Sequence, residues 1–130
     1  MSLNKGYFII GTDTGIGKTY VSTLLYQGVK KVNGGYYKPI QSGAFEMLGK
    51  LVSPDVEFLC EYNKIPYDTD MTTYLLRAEV SPHLAAELDN VEVKPDKIKK
   101  HWEKLNKKYD TLIVEGAGGL LFQLSEENII

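Results

Sequence analysis

Gly11-Thr12-Asp13-Thr14-Gly15-Ile16-Gly17-Lys18-Thr19 follows the apolar run Tyr7-Phe8-Ile9-Ile10 and opens a stretch with helical spacing. A strand, a glycine-rich loop, Gly-Lys-Thr and a helix, in that order, build a cradle for phosphates. Small residues let backbone N–H groups turn inward around phosphate oxygens, and the helix N-terminus adds partial positive charge. In such a cradle Lys18 reaches the β- and γ-phosphates and the Thr19 hydroxyl binds Mg²⁺. The spacing departs from the usual pattern, because Gly11 and Gly17 enclose five residues and Thr12 stands where the first glycine is expected. A glycine-rich turn before an ordinary helix would carry the same residues. The agreement of strand, loop and helix favours the cradle.

Outward from this loop, hydrophobic periodicity alternates between strand and helix. Gly6–Ile10 reads as a buried strand and Gly17–Val32 as a helix. Val21, Leu24, Leu25, Val29 and Val32 form one apolar stripe on that helix, the face expected to turn inward. Asn33-Gly34-Gly35 ends the helix, and Gly35–Lys38 reads as a short strand stopped by Pro39. Gln41–Ser53 reads as a polar loop. Ser53-Pro54 starts a helix to about Tyr62 that turns Val56, Leu59 and Cys60 inward. Asn63–Thr69 is turn-rich, Thr72–Leu76 is a candidate strand, and Ser81-Pro82 starts another helix. Lys94-Pro95 opens a helix over Pro95–Lys108 with Ile98, Trp102 and Leu105 facing in. Thr111–Val114 is a buried strand with Glu115 at its end, then Gly116-Ala117-Gly118-Gly119, and Leu120–Leu124 is a further extended candidate. Strands alternating with helices predict an α/β fold of the P-loop NTPase-like type, a mostly parallel sheet flanked by helices, in one domain over residues 1–130.

Composition narrows the class. The 130 residues are 43% hydrophobic and 25% charged, ordinary values for one globular domain with one core. A net charge of −2 gives no basic field for nucleic acid. One cysteine, Cys60, excludes an internal disulfide and fits a reducing compartment. It reads as a small buried hydrophobe before it reads as a nucleophile. No run approaches membrane-spanning length, so the expectation is a cytoplasmic protein with small-molecule ligands and no nucleic-acid or membrane partner. The seven lysines between Lys94 and Lys108 read as the solvated side of an amphipathic helix. His83 and His101 show no metal-ligand spacing.

In parallel sheets ligands bind beyond the carboxyl ends of the strands, and three polar clusters fall there. The first is the loop at 11–19. The second is Lys38 with Ser42, followed by Gly43. Lys38 suits either the neutralisation of transferring phosphate oxygens or a solvated surface. Ser42 suits either an anion-facing loop or a plain turn. The third is Glu115, placed like the acidic residue that ends a Walker-B strand, although a carboxylate in a glycine-rich turn has the same surroundings. Asp55, beside Ser53-Pro54, is either a metal ligand or an acidic residue stabilising a first helical turn.

GTDTGIGKT at 11–19, YKPIQSG at 37–43, SPHLAAE at 81–87 and VEGAGG at 114–119 together resemble the ATP-dependent dethiobiotin synthetase family, in order and in separation. The resemblance implies ring-closing carboxylation of 7,8-diaminononanoate (diaminopelargonate) with CO₂. ATP is the co-substrate and Mg²⁺ the cofactor, and the products are dethiobiotin, ADP and phosphate. It implies Lys18, Lys38, Ser42 and Thr14 as catalytic residues, and Thr19, Asp55 and Glu115 as Mg²⁺ ligands. ATP would touch Asp13, Thr14, Gly15, Ile16, Gly17, Lys18, Thr19 and Tyr20, with Asp55, Glu115 and Gly118. The diamine would touch Thr14, Lys38, Ser42 and Gly118. Many members carry an acidic residue where this chain has Gly15. The family is usually longer and homodimeric, so the chain is expected to be an N-terminal part. Competing readings are a related P-loop amidoligase and a truncated, inactive nucleotide-binding fragment. A partitioning ATPase fits less well, because Thr12 and Asp13 stand where its early lysine would be.

Overall fold

A computed structural model describes residues 5–9 and 16–116, with side chains from residue 18 onward. Its elements in order are β1 (Lys5–Ile9), α1 (Ile16–Val29), β2 (Gly34–Gln41), β3 (Phe45–Met47), β4 (Lys50–Val52), α2 (Pro54–Tyr62), β5 (Thr72–Leu75), α3 (Pro82–Leu88), α4 (Pro95–Lys108) and β6 (Thr111–Glu115). Short 3₁₀ turns at Lys30–Val32 and Thr69–Met71 extend α1 and lead into β5. The expected α/β architecture is present. Four strands form a parallel sheet in the order β1-β6-β2-β5, so β6 threads between two strands that precede it in sequence.

The twofold side-chain period of a strand decides what each face carries. On β6, Leu112 and Val114 join Ile98, Leu105, Ala85 and Ala86 of α3 and α4. Ile113 faces the other way, into a cluster with Tyr26 of α1 and Val56, Leu59 and Cys60 of α2. Glu115, two residues on, shares that second face. The register Tyr36↔Ile113 and Tyr37↔Val114 places Tyr36 and Lys38 of β2 on it as well. On the opposite face the Tyr37 hydroxyl lies 2.5 Å from Thr73 Oγ1, and Thr73 Oγ1 lies 2.6 Å from His101 Nδ1, which ties α4 to the sheet.

The helix starts follow their capping chemistry. The Ser53 hydroxyl accepts from the Val56 N–H at 3.1 Å with Pro54 in the first turn, and Ser81 does the same for Leu84 at 3.5 Å. At the end of α1 and its 3₁₀ extension, Asn33 takes the left-handed conformation, φ 58°, so the chain turns one residue before the glycines. Those glycines belong to β2. A Cβ on Gly35 would clash with the edge of the Tyr109 ring, so a larger residue there would force the ring to move.

Three expectations are corrected. Pro39 does not stop β2, which runs on to Gln41. The strand changes partners at this point. Its pairing with β6 ends at Tyr37↔Val114, and Lys38, Ile40 and Gln41 pair with β5, so the missing N–H of Pro39 falls past the last β6 partner. Residues 41–53 are not simply a loop: β3 and β4 form an antiparallel hairpin closed by Leu48 and Gly49, both at positive φ. The apolar stripe of α1 is not its buried face. Val21, Leu24 and Leu25 are 39–47% exposed, whereas Thr19, Ser22, Thr23 and Tyr26 are buried. Small hydroxyl residues let the helix lie close to the sheet, and the Thr23 hydroxyl donates to the Thr19 carbonyl at 2.7 Å. The Leu120–Leu124 candidate lies outside the described residues.

Candidate active site

Four elements deliver polar side chains to one point at the carboxyl end of β6. Glu115 comes from the last position of β6 and is 1% exposed. Lys38 comes from β2, Thr19 from the first turn of α1, and Asp55 from the first turn of α2. The Ser53 cap sets the height of Asp55. Ser53 is itself anchored, its hydroxyl donating to Gln41 Oε1 at 2.7 Å, so the start of α2 is tied to the end of β2.

Glu115 is the hub. Its Oε2 accepts from Lys38 Nζ at 3.0 Å and from Thr19 Oγ1 at 3.3 Å. Its Oε1 accepts from the Tyr36 hydroxyl at 2.9 Å. Lys38 also contacts the Asp55 carboxylate directly, so one ammonium sits between two carboxylates. Lys18 Nζ donates to the carbonyl of Gly116, the residue after Glu115, at 3.3 Å. Thr19, Lys38, Asp55 and Glu115 therefore form one connected cluster, and Lys18 joins it at Gly116, 98 residues away in sequence.

Burial acts on Lys38 to lower its pKa, but the Glu115 and Asp55 carboxylates outweigh it and hold the ammonium above the ordinary lysine range. Burial, reinforced by the Glu115 charge, holds the Tyr36 phenol well above the ordinary tyrosine range, so it stays a hydrogen-bond donor. Burial likewise raises the Cys60 thiol, which keeps it protonated and agrees with its reading as a core residue.

The donor set suits a hard cation. Among the described residues no three His, Cys, Asp or Glu side chains converge, so a cage made wholly by the protein is not present there. A hydroxyl and two carboxylates are what Mg²⁺ takes when it keeps waters and phosphate oxygens as its remaining ligands. Glu115 is deeply buried, while the Asp55 side chain, 22% exposed, leaves the cluster open on one side.

Ser42 follows β2 and is half-buried, and Gly43 adopts φ 73° with its N–H donating to the Ala78 carbonyl at 3.0 Å. The turn is thus held against the segment before α3. Ile16 and Gly17 open α1. Tyr20 is 49% exposed, on the part of α1 turned from the core. Asp13, Thr14, Gly15 and Gly118 lie outside the described residues. Tyr36 is the residue that sequence reasoning missed. Its signal was positional: two residues before Lys38 on a strand, it had to share the lysine's face.

Residues 5–130 match the family described as AAA domain. The chain belongs to that family. The AAA domain match and the phosphate loop agree with the P-loop NTPase-like sheet. Curated relatives carry a narrower name. A protein from Fusobacterium nucleatum subsp. nucleatum named ATP-dependent dethiobiotin synthetase BioD is 55% identical over 120 residues, covering 92% of this chain and 55% of the relative. One of that name from Anoxybacillus flavithermus is 42% identical over 130 residues, covering 97% and 57%. Another, from Clostridium botulinum (strain Loch Maree / Type A3), is 43% identical over 124 residues, covering 93% and 55%. The chain spans little more than half the length of these relatives. Among the described residues no helix is long and apolar enough to cross a membrane.

Proposed function

We propose that this AAA domain chain carries the phosphate-handling part of an ATP- and Mg²⁺-dependent dethiobiotin synthetase, a ligase acting as a homodimer in the cytoplasm. One amine of diaminopelargonate takes up CO₂ as a carbamate, releasing a proton. The carbamate oxygen attacks the γ-phosphorus of ATP, ADP leaves, and a carbamic–phosphoric anhydride forms. The second amine attacks the carbonyl carbon, phosphate departs, and the ureido ring closes.

Each step gathers negative charge, because a carbamate attacks a polyphosphate, and cations must screen it. Lys18 binds the β- and γ-phosphates, and Lys38 faces the carbamate and the transferring phosphoryl group. Thr14, Ser42 and Gly118 hold the diamine. The segment from Asp13 to the first turn of α1 at Tyr20 would offer backbone N–H groups to the phosphates. Thr19, Asp55 and Glu115 would hold Mg²⁺, which when bound neutralises charge on the phosphate oxygens. No covalent nucleophile is required, since holding the carbamate against the γ-phosphorus converts a meeting of two anions into an intramolecular event.

One observation carries this reading: Glu115 Oε2 is shared by the Thr19 hydroxyl and the Lys38 ammonium, which joins the phosphate loop to the lysine strand at one buried carboxylate. The test is transfer of labelled bicarbonate into acid-stable product by the purified chain with Mg²⁺, ATP and diaminopelargonate. Incorporation dependent on both ATP and the diamine supports the proposal. ATP turnover indifferent to the diamine overturns it.

A further inference from the structure

Tyr36 and Tyr37 stand side by side on β2 and are equally buried, at 1% and 0% exposure. The strand period sends their hydroxyls to opposite faces. Tyr37 meets Thr73, away from the site. Tyr36 meets Glu115 Oε1 at 2.9 Å.

The two oxygens of Glu115 therefore have separate surroundings. Oε1 accepts from the Tyr36 hydroxyl, and Oε2 accepts from Thr19 and Lys38. Thr19 belongs to the phosphate loop's helix, so Oε2 is the oxygen on the phosphate side. Tilting the carboxylate plane out of this orientation would pull an oxygen from the Tyr36 hydroxyl and leave a phenol unpaired in the core, an unfavourable arrangement, whereas a half-turn only exchanges two equivalent oxygens. We infer that Tyr36 is a positioning residue that fixes the plane of the Glu115 carboxylate, so that one oxygen is held by the phenol and the other is offered to the metal and phosphate. It touches neither substrate nor metal and acts through Glu115. A hydrogen-bonded partner behind a metal-ligating carboxylate sets the ligand's orientation, and losing such a partner weakens metal affinity about 10- to 100-fold.

This inference rests on the reading of Glu115 as a Mg²⁺ ligand, and its test separates the two. The readout is the Mg²⁺ concentration that half-saturates ATP binding, measured by calorimetry on the full chain. Tyr36→Phe removes one oxygen and keeps the ring in the core. Tyr37→Phe is the matched control, with the same burial, the same atom lost and a hydroxyl on the other face. Melting curves of both variants are taken first, and binding is measured below the lower transition. Tyr36→Phe should raise the Mg²⁺ requirement at least about tenfold, and Tyr37→Phe should leave it unchanged. In a Glu115→Gln background, Tyr36→Phe should add nothing further. The inference is overturned if Tyr36→Phe matches the parent while Glu115→Gln shifts the requirement. It is equally overturned if both phenylalanine variants shift it alike, or if the Tyr36→Phe shift persists without the Glu115 carboxylate. If Glu115→Gln itself changes nothing, the metal-ligand reading fails and the inference fails with it.

Discussion

Replacing Lys38 by methionine keeps most of the side-chain volume and removes the only cation that contacts Glu115 among the described residues. The ammonium lies 3.0 Å from Glu115 Oε2, with side-chain exposures of 9% and 1%. At an effective dielectric of about 20 such a contact corresponds to roughly 5 kcal/mol of Coulomb attraction. Part of that attraction offsets the desolvation of both ions, so the net worth of the pair is smaller. Removal of one partner is a different quantity, because it leaves Glu115 charged and buried without its counter-ion. Losses of this kind run to about 3–5 kcal/mol. Asp55 adds less, since it is partly open to solvent. Urea unfolding followed by circular dichroism at neutral pH should therefore show Lys38→Met destabilised by about 3–5 kcal/mol with an unchanged slope. Adding Glu115→Gln should recover part of the loss, because the amide carries no charge to strand. A Lys38→Met cost below about 1 kcal/mol, or a double variant less stable by the simple sum of the two single changes, would refute the argument that Lys38 is the counter-ion of a buried carboxylate.

Two further outcomes follow from the packing. Burial raises the phenols of Tyr26, Tyr36, Tyr37 and Tyr67 above 10.0, and the thiol of Cys60 above 9.0. Groups raised in the fold contribute stability that is complete below their unfolded values and is lost as pH rises through the folded ones. Stability should hold up to about pH 9 and fall beyond it, and these four tyrosines should ionise above the ordinary tyrosine range. All nine tyrosines titrating as one ordinary class in a still-folded chain would contradict this. Ser53→Ala should cost about 1–3 kcal/mol in the same urea assay, since it removes the cap of α2 and leaves the buried Gln41 Oε1 without its donor. A cost near zero would mean that α2 and Asp55 are placed by packing alone.

Much of the architecture was legible because its signals are local. Ser53-Pro54, Ser81-Pro82 and Lys94-Pro95 mark helix starts, and α4 spans Pro95–Lys108 as the spacing of Ile98, Trp102 and Leu105 predicts. What escaped depends on contacts distant in sequence. The phase of α1 is set by Thr19 turning toward Glu115, against the direction in which Val21, Leu24 and Leu25 point by hydropathy. Pro39 lies inside a strand because β2 changes neighbours there, which no local pattern encodes. The hairpin at 45–52 turns on Leu48 at φ 54°, a conformation that an aliphatic residue does not advertise. Within the site, Lys18 and Thr19 were marked by the phosphate-loop pattern, Lys38 and Glu115 were candidates beside plainer readings, and Asp55 stood out through the family resemblance. The gathering of the phosphate loop, Lys38 and Glu115 at the carboxyl ends of the strands was also expected from the parallel-sheet rule, but the contacts between them depend on β6 inserting between β1 and β2, which no local pattern encodes. Tyr36 had the strand period as its signal, but its partner Glu115 lies 79 residues away in sequence.

The most direct test of the central claim, that Lys18, Thr19, Asp55 and Glu115 form a site for a Mg²⁺-bound nucleoside triphosphate, is calorimetric titration of ATP into the purified chain. It is run with Mg²⁺ and with a chelator, and repeated for Lys18→Ala. The account predicts saturable Mg²⁺-dependent binding that Lys18→Ala abolishes while its melting curve stays close to that of the parent. Binding that survives Lys18→Ala, or that is indifferent to Mg²⁺, would contradict it.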